Sequence, residues 1–317
     1  LRSAPGVLML PLEAALGWSR PTVSLAAGIG ILFYGLTGPF AAALMQALGL
    51  RRVILAALAL MSAATLASLL MTQPWQYVAT WGIAAGIGSG ALAMSLGATV
   101  VNRWFIARRG LMMGLLTAAT ATGNLIFLPG LAALAERGGW KPVVLAAGLA
   151  PLVMIPLVWG LLPERPSDRG RSPLGAPEGW TEPAQPAGRP LALAFDVLRR
   201  ALKVRTFWLL LTGFFICGLT TNGLVGAHLI ALCADHGLAE VQAAGLLAAM
   251  GVFDLAGTTA SGWLTDRHDP RRLLAIYYTF RGLALVALPF TDFSVVSLGV
   301  FAVFFGLDWI ATVPPTA

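Results

Sequence analysis

The chain has 317 residues, 57% hydrophobic and only 11% charged, with a mean hydropathy of +0.79. Soluble domains carry about 25% charged residues, so composition excludes a water-facing globule, and with it a soluble enzyme. Lys and Arg number 21 against 14 Asp and Glu, a net charge of +7; the cations stand in short clusters between apolar runs, not as the basic stripe of a nucleic-acid binder. A run of about 20 apolar residues spans the hydrocarbon core, which leaves an all-α polytopic membrane protein as the expected fold class. The two cysteines, Cys217 and Cys233, lie in one apolar stretch, without CxxC or Cys/His spacing. No metal or cofactor is expected. The chain opens on Leu1 without a basic n-region or cleavage site, and reads as cut at its start.

In chain order, apolar segments fall at about 1–16, 21–46, 53–72, 76–102, 111–135, 141–162, 207–233, 239–265, 272–290 and 293–313. Gly82, Gly86 and Gly90 in the fourth have the spacing that lets helix backbones approach closely in a bilayer. Orientation follows from the cations. Sixteen of the 21 lie in the loops 47–52, 103–110, 163–206 and 266–272, which are therefore expected to be cytoplasmic. Arg20, Arg137 and Lys141 lie on the opposite side, while Arg2 and Arg281 fall within apolar segments.

Three parts are expected: an N-terminal helix bundle over 1–162, a cytoplasmic linker over 163–206 and a C-terminal bundle over 207–317. Residues 163–190 hold seven Pro and four Gly, a composition that predicts a mobile linker. Leu191 to Lys203 reads as an amphipathic helix on the membrane surface. The two bundles carry a faint repeat. Gly17 to Arg52 and Gly237 to Arg272 stand at an offset of 220, matching at Gly17/Gly237, Phe33/Phe253, Leu44/Leu264, Arg51/Arg271 and Arg52/Arg272. Six spans, a long linker and a second similar set fit a parallel-repeat transporter.

The second copy ends Gly262-Trp-Leu-Thr-Asp266-Arg267-His-Asp-Pro-Arg271-Arg272. It resembles the G-x-L-x-D-R-x-G-x-R-R loop of the major facilitator superfamily, a cytoplasmic gating loop in which Asp266 pairs with Arg residues and helix ends. The first copy, from Ala42 to Arg52, lacks the Asp and the first Arg, so its latch is expected to be weaker or supplied elsewhere. Within that superfamily the chain is similar to the monocarboxylate-transporter-like branch. The pieces are Arg2-Ser-Ala-Pro-Gly-Val, Gly17-Trp-Ser-Arg20, Asn102-Arg-Trp-Phe-Ile-Ala-Arg-Arg-Gly110, Ala227-His228-Leu229 and Phe253-Asp254. The resemblance implies two six-helix halves, with about ten segments present and the last two helices missing. It implies that Arg2 binds a substrate carboxylate and that Asp254 couples protons. Where the branch has Arg four residues after this Asp, this chain has Thr258.

Charges at bilayer depth need a partner or a function. Asp254 lies 12 residues before Asp266, and Arg281 nine after Arg272, about 18 and 14 Å from one side. A pair between them would replace the missing arginine. His228 follows Thr221, Asn222, Gly223 and Gly226, where the glycines allow a bend lined by polar groups; Asn222 and His228 are candidate substrate contacts. Tyr34, at the repeat position of Asp254, is another, and a packed aromatic is its bland alternative. Asp308 is expected near the cytoplasmic end of segment ten as a structural acid. The expected function is secondary transport of a small organic anion with proton coupling. Anion exchange without protons and a non-transporting membrane sensor remain as alternatives, and the site for an intramembrane enzyme is missing: Ser89 has no base nearby in sequence. The lipid bilayer is the expected surrounding, nucleic acid is not a partner, and protein partners are unknown.

Overall fold

In a bilayer the backbone must satisfy its own hydrogen bonds, so an apolar chain has little choice but to form helices. The computed structural model describes residues 4–107, 109–177, 190–265, 267–313 and 315, and they are almost wholly helical. The first six helices are α1 (Ala4–Leu16), α2 (Arg20–Leu48), α3 (Leu50–Ala67), α4 (Pro74–Trp104), α5 (Arg109–Gly138) and α6 (Trp140–Leu161). An amphipathic helix, α7 (Pro190–Ala201), precedes α8 (Arg205–Asp235), α9 (Glu240–Thr265), α10 (Pro270–Ala287) and α11 (Val295–Leu307). Among the described residues seven helices are long and apolar enough to cross a membrane; α1 and α11 are apolar but shorter. Large apolar side chains such as Val153, Trp159, Phe215, Leu283 and Val286 cover the outside, as the lipid-facing surface requires.

The turns explain why the repeat is visible in sequence. Gly17 and Gly237 both have positive φ, 67° and 86°, the left-handed residue that closes a helix. Deeper in the bundle the repeat becomes a repeat of contacts. A Cβ on Gly86 would lie 2.8 Å from Gly30 O and 3.0 Å from Phe33 Cβ; one on Gly306 would lie 2.8 Å from Met250 O and 2.9 Å from Phe253 Cβ. All three pairs of positions share the offset of 220. The crossing of α2 with α4 is thus repeated by α9 with α11, and both need a residue without a side chain.

One expectation is corrected and another is extended. Residues 163–177 are docked, not loose. Pro166–Arg169 form a 3₁₀ turn, Gly170 and Gly175 take positive φ, and Leu174 exchanges backbone hydrogen bonds with Trp104 and Ile106, at 2.9 Å each. Proline and glycine here shape turns whose backbone groups find partners on the 104–107 loop; residues 178–189 lie outside the described set. The helix expected from 191 is present as α7, and besides any contact with lipid it packs on α2, Phe195 meeting Phe40 with ring centres 4.9 Å apart.

The latch missing from the first copy is supplied by Glu164. Its carboxylate accepts from the backbone N–H of Leu50 at 2.6 Å and Arg51 at 3.0 Å, capping the start of α3 where the helix dipole favours an anion. Gly49 makes room for it with φ 95° and ψ 149°, a region essentially closed to other residues.

The close crossings make a prediction. A Cβ on Gly257 would overlap the carbonyl of Leu307, whereas one on Gly245, on the same helix, would meet nothing within 4 Å. Gly257→Ala should destabilise the detergent-solubilised protein by about 1–3 kcal/mol. Gly245→Ala should stay within about 0.5 kcal/mol or gain slightly from helix propensity. Thermal unfolding midpoints compare the two.

Candidate functional site

Polar residues gather where helices depart from α-geometry. In α8 the stretch Leu219–Val225 is a π-helix, a widened turn that takes the place of the unwinding expected around Gly223 and Gly226 and is common at functional sites. Hydroxyls take up the loosened carbonyls: Thr221 Oγ1 donates to Cys217 O at 2.6 Å and Thr220 Oγ1 to Ile216 O at 2.8 Å. His228 Nδ1 lies 2.8 Å from Gly223 O. A carbonyl only accepts, so this nitrogen carries hydrogen. The other nitrogen, Nε2, meets Ser24 Oγ of α2 at 2.7 Å; in the neutral imidazole Ser24 donates to it. The contact joins the first half to the second. At the same level α1 crosses α8 backbone to backbone, since a Cβ on Gly6 would lie 2.6 Å from Gly226 O.

The sequence candidates do not all meet. At 1.5 Å per residue, Asn222 lies about 20 Å along α8 from Asp235, Tyr34 about 21 Å along α2 from Arg20, and Asp254 about 21 Å along α9 from Glu240. These three share one depth. His228, seven residues from Asp235, sits about 10 Å nearer that end. Asn222 is half-buried and its Nδ2 donates to Thr221 Oγ1 at 3.2 Å. Tyr34 is half-buried on α2, where Gly90 makes room for its backbone; a Cβ there would come within 2.5 Å of Tyr34 O. Arg2 lies outside the described residues.

The pair expected between Asp254 and Arg281 is not formed. Arg281 Nε donates to Asp308 Oδ2 at 2.7 Å, and its Nη2 donates to the carbonyls of Asp308 and, at 3.1 Å, Trp309. Asp254 Oδ1 instead accepts from Thr258 Oγ1 and from the backbone N–H of Ile310, both at 2.9 Å. The reason is where α11 stops. The apolar run continues to 313, but the helix ends at Leu307, about 20 Å from its start and short of a full crossing. Asp308 therefore lies well inside the bundle, not at its cytoplasmic end. Its turn exposes backbone groups that the bilayer cannot satisfy: Arg281 takes the carbonyls at the negative end of the helix, and Asp254 takes an N–H. Thr258, standing where the branch has arginine, gives Asp254 a hydroxyl.

At the cation-rich end, Arg267 lies over the Trp263 ring, 4.1 Å from its centre, and donates to Trp263 O at 3.1 Å. Arg271 and Arg272 are exposed at the start of α10, where Asp269 Oδ1 accepts from Arg271 N at 2.9 Å. Asp266 lies outside the described residues. The opposite end carries a latch that the sequence reading missed. Arg20 of α2 donates to Glu13 of α1 at 2.8 Å and, through both terminal nitrogens, to Asp235 of α8, with Nη2–Oδ1 at 2.8 Å. Glu136 Oε1 also accepts from Val241 N at 3.2 Å. These contacts join the two halves beside a 660 Å³ cleft lined by residues including Leu10, Ala135 and Glu240. The available signal was that Arg20, Glu13 and Asp235 all sit at segment ends on one side.

Comparison with known proteins places this geometry. A model of the Major Facilitator Superfamily matches residues 2–317. The chain is 26% identical over 323 residues to the MFS-type transporter YcxA of Bacillus subtilis, covering 98% of this chain and 73% of that one. It is 31% identical over 287 residues to a gallate transporter of Pseudomonas putida, covering 84% and 61%. Identity to monocarboxylate transporter 13 of Rattus norvegicus is 27% over 311 residues, covering 98% and 68%. The chain thus spans between 61% and 73% of the length of these relatives. Its fold is similar to the xylose transporter XylE from E. coli in a partially occluded inward-open conformation, with a TM-score of 0.63 at 13% identity over 99% of this chain and 81% of that one.

The Arg20 latch is partly exposed, with 34% of the Arg20 side chain and 44% of the Asp235 side chain accessible, so solvent screening holds its contribution to about 1 kcal/mol. Arg20→Ala should shift the population toward opening at this end by about fivefold. Thiol labelling of an Ala135→Cys variant in the cleft, with and without Arg20→Ala, measures it; equal labelling rates would show that the latch does not hold the halves together.

Proposed function

The chain belongs to the Major Facilitator Superfamily, and from that premise we propose that it is a secondary transporter moving a small, monocarboxylate-like organic anion by alternating access. The superfamily and the relatives are membrane transporters, not enzymes, and the multi-pass membrane location follows from the family and the apolar helices. Two relatives point to the substrate class: one is a gallate transporter and one a monocarboxylate transporter, and both names describe carboxylates.

The observation that carries the reading is the polar seam between the halves. The His228–Ser24 contact spans it at 2.7 Å, and Asn222 and Tyr34 lie on the same two helices, α8 and α2, about 10 Å deeper. A carboxylate entering the seam would accept from Asn222 Nδ2 and from the Tyr34 hydroxyl, which share one depth, while His228 with Ser24 lines the approach about 10 Å nearer the cation-poor end and Arg2 adds a cation. Asp254 takes up the coupled proton, because a neutral carboxyl crosses the low-dielectric interior at lower cost than a charged one. With the Arg20 latch formed, the seam is closed at the cation-poor end. The bundles 1–162 and 207–317 rock about it, and the 163–206 linker lies in the cytoplasm by the positive-inside rule. Loop cations Arg267, Arg271 and Arg272, with Asp266, gate that side of an inner-membrane protein.

The test is uptake of labelled gallate and lactate into liposomes holding the purified protein, with and without an imposed pH gradient. Symport predicts that an alkaline interior accelerates uptake and that Asp254→Asn removes the acceleration, by about tenfold or more, while counterflow against internal anion survives. His228→Ala should raise KM. Uptake that ignores the gradient and requires internal anion would make the protein an exchanger instead.

A further inference from the structure

The buried charges of the second half do not balance. Asp254, Arg281 and Asp308 are 6%, 2% and 7% exposed, so two carboxylates and a single guanidinium, ion-paired to Asp308, lie away from water. Among the described residues, the groups around them add no positive charge. Cys217 of α8 faces Arg281 and lies 3.6 Å from Thr312 Oγ1. On α10 the Tyr278 ring is 5.8 Å from the guanidinium, and Phe305 of α11 is 5.9 Å away on another side. Thr258 of α9 faces Asp254. With both acids ionised the cluster would hold one uncompensated negative charge in a low-dielectric interior, a state that desolvation strongly disfavours.

We propose that Asp308 is the second acid of the proton site, sharing a single proton with Asp254 across Arg281. The proposal rests on the proton-coupled reading above and assigns it a site of three residues. The hydrogen bonds leave the required vacancies. Asp308 Oδ1 and Arg281 Nη1 are both buried without a hydrogen-bond partner, although Arg281 uses its Nε and Nη2 fully. Asp308 thus has an oxygen lone pair available to accept a proton, and Arg281 has an N–H, facing the Cys217 thiol and bound to no oxygen, that can turn to compensate whichever acid gives one up.

In one arrangement Asp254 carries the proton and Asp308 is the anion bound to Arg281. In the other the proton is on Asp308 Oδ1, and Arg281 compensates Asp254. A proton moves between two carboxylate oxygens, no electrons are transferred, and the cluster stays neutral. Each acid also holds the turn after α11: Asp254 through Ile310 N, and Asp308 through its own backbone carbonyl on Arg281. Moving the proton therefore changes how tightly α9 and α10 grip that turn, which ties protonation to helix position.

Infrared spectroscopy of the protein in lipid tests this without any substrate. The carboxylic-acid carbonyl band is followed from about pH 5 to about pH 9, a window in which a buried carboxyl can stay protonated and an exposed one does not. The wild type should show a band of one protonated carboxyl. Asp254→Asn and Asp308→Asn should each abolish it, since the remaining acid is then fully compensated by Arg281. Arg281→Gln should raise the band about twofold, because neither acid keeps its cation. Size-exclusion profiles establish that the isosteric Asn variants are folded, and those two decide the question if Arg281→Gln does not fold. A band that survives Asp308→Asn but not Asp254→Asn would leave Asp254 as sole proton site, and no band in the wild type would make the cluster a fixed structural ion group; either overturns the proposal. A shared proton in protein whose liposome uptake ignores the pH gradient would instead overturn the proton-coupled reading and leave the site standing.

Discussion

Inside a bilayer a backbone N–H or C=O without a partner costs several kcal/mol, and at two departures from the α-helix, the end of α11 and the π-turn of α8, polar side chains supply the partners. The end of α11 is the clearest instance. A helix that stops at Leu307, about 20 Å into the bundle, leaves carbonyls and N–H groups that no lipid can take. Arg281 and Asp254 come from two neighbouring helices to take them. Those are also the charged residues that a transporter would need at that depth. Structural repair of the backbone and placement of ionisable groups are one event here, because only strong donors and acceptors serve the first purpose.

The π-turn in α8 follows the same logic with neutral groups. A widened turn costs less than a stop, and hydroxyls of Thr220 and Thr221 with the imidazole of His228 are enough to occupy its carbonyls. Because α1 approaches α8 at Gly6 and Gly226, the turn lies on the contact between the halves. The second nitrogen of His228 is thereby left pointing across to Ser24. Close packing of glycines and irregular backbone therefore converge on one seam. Helices that could not approach so closely would leave that nitrogen without a partner in the opposite half.

Much of the fold was legible because one length scale governs it. A crossing needs about 20 apolar residues, and loops between crossings collect cations by side, so most of the apolar segments could be placed from the sequence. The glycine repeat was legible at Gly17 and Gly237, where positive φ admits few other residues; Gly86 was legible as a close-packing glycine, but its correspondence with Gly306 emerges only from the crossing helices. The site was less readable. Asp254 and Arg281 stood out as charges in apolar runs, yet their partners depended on where α11 ends, and the run from Val295 to Val313 contains no Pro to mark that place. Glu164 and Arg20 were hidden for the opposite reason: charged residues at segment ends are ordinary, and only the three-dimensional fold shows that one caps α3 and the other bridges α2 to α8.

Charge counting then separates two roles that look alike in sequence. In the outer latch Arg20 faces two acids, Glu13 and Asp235, just as Arg281 has two acids in its neighbourhood. The outer group is partly exposed, so water screens the surplus charge, both acids can remain ionised, and the latch is a modest, salt-sensitive clasp. The inner group has the same ratio with almost no exposure, where desolvation disfavours leaving the surplus charge in place. The same stoichiometry is a clasp at the surface and, in the proposal above, a proton site in the interior. Burial, not residue identity, makes the difference, and burial in turn follows from where a thirteen-residue helix happens to stop.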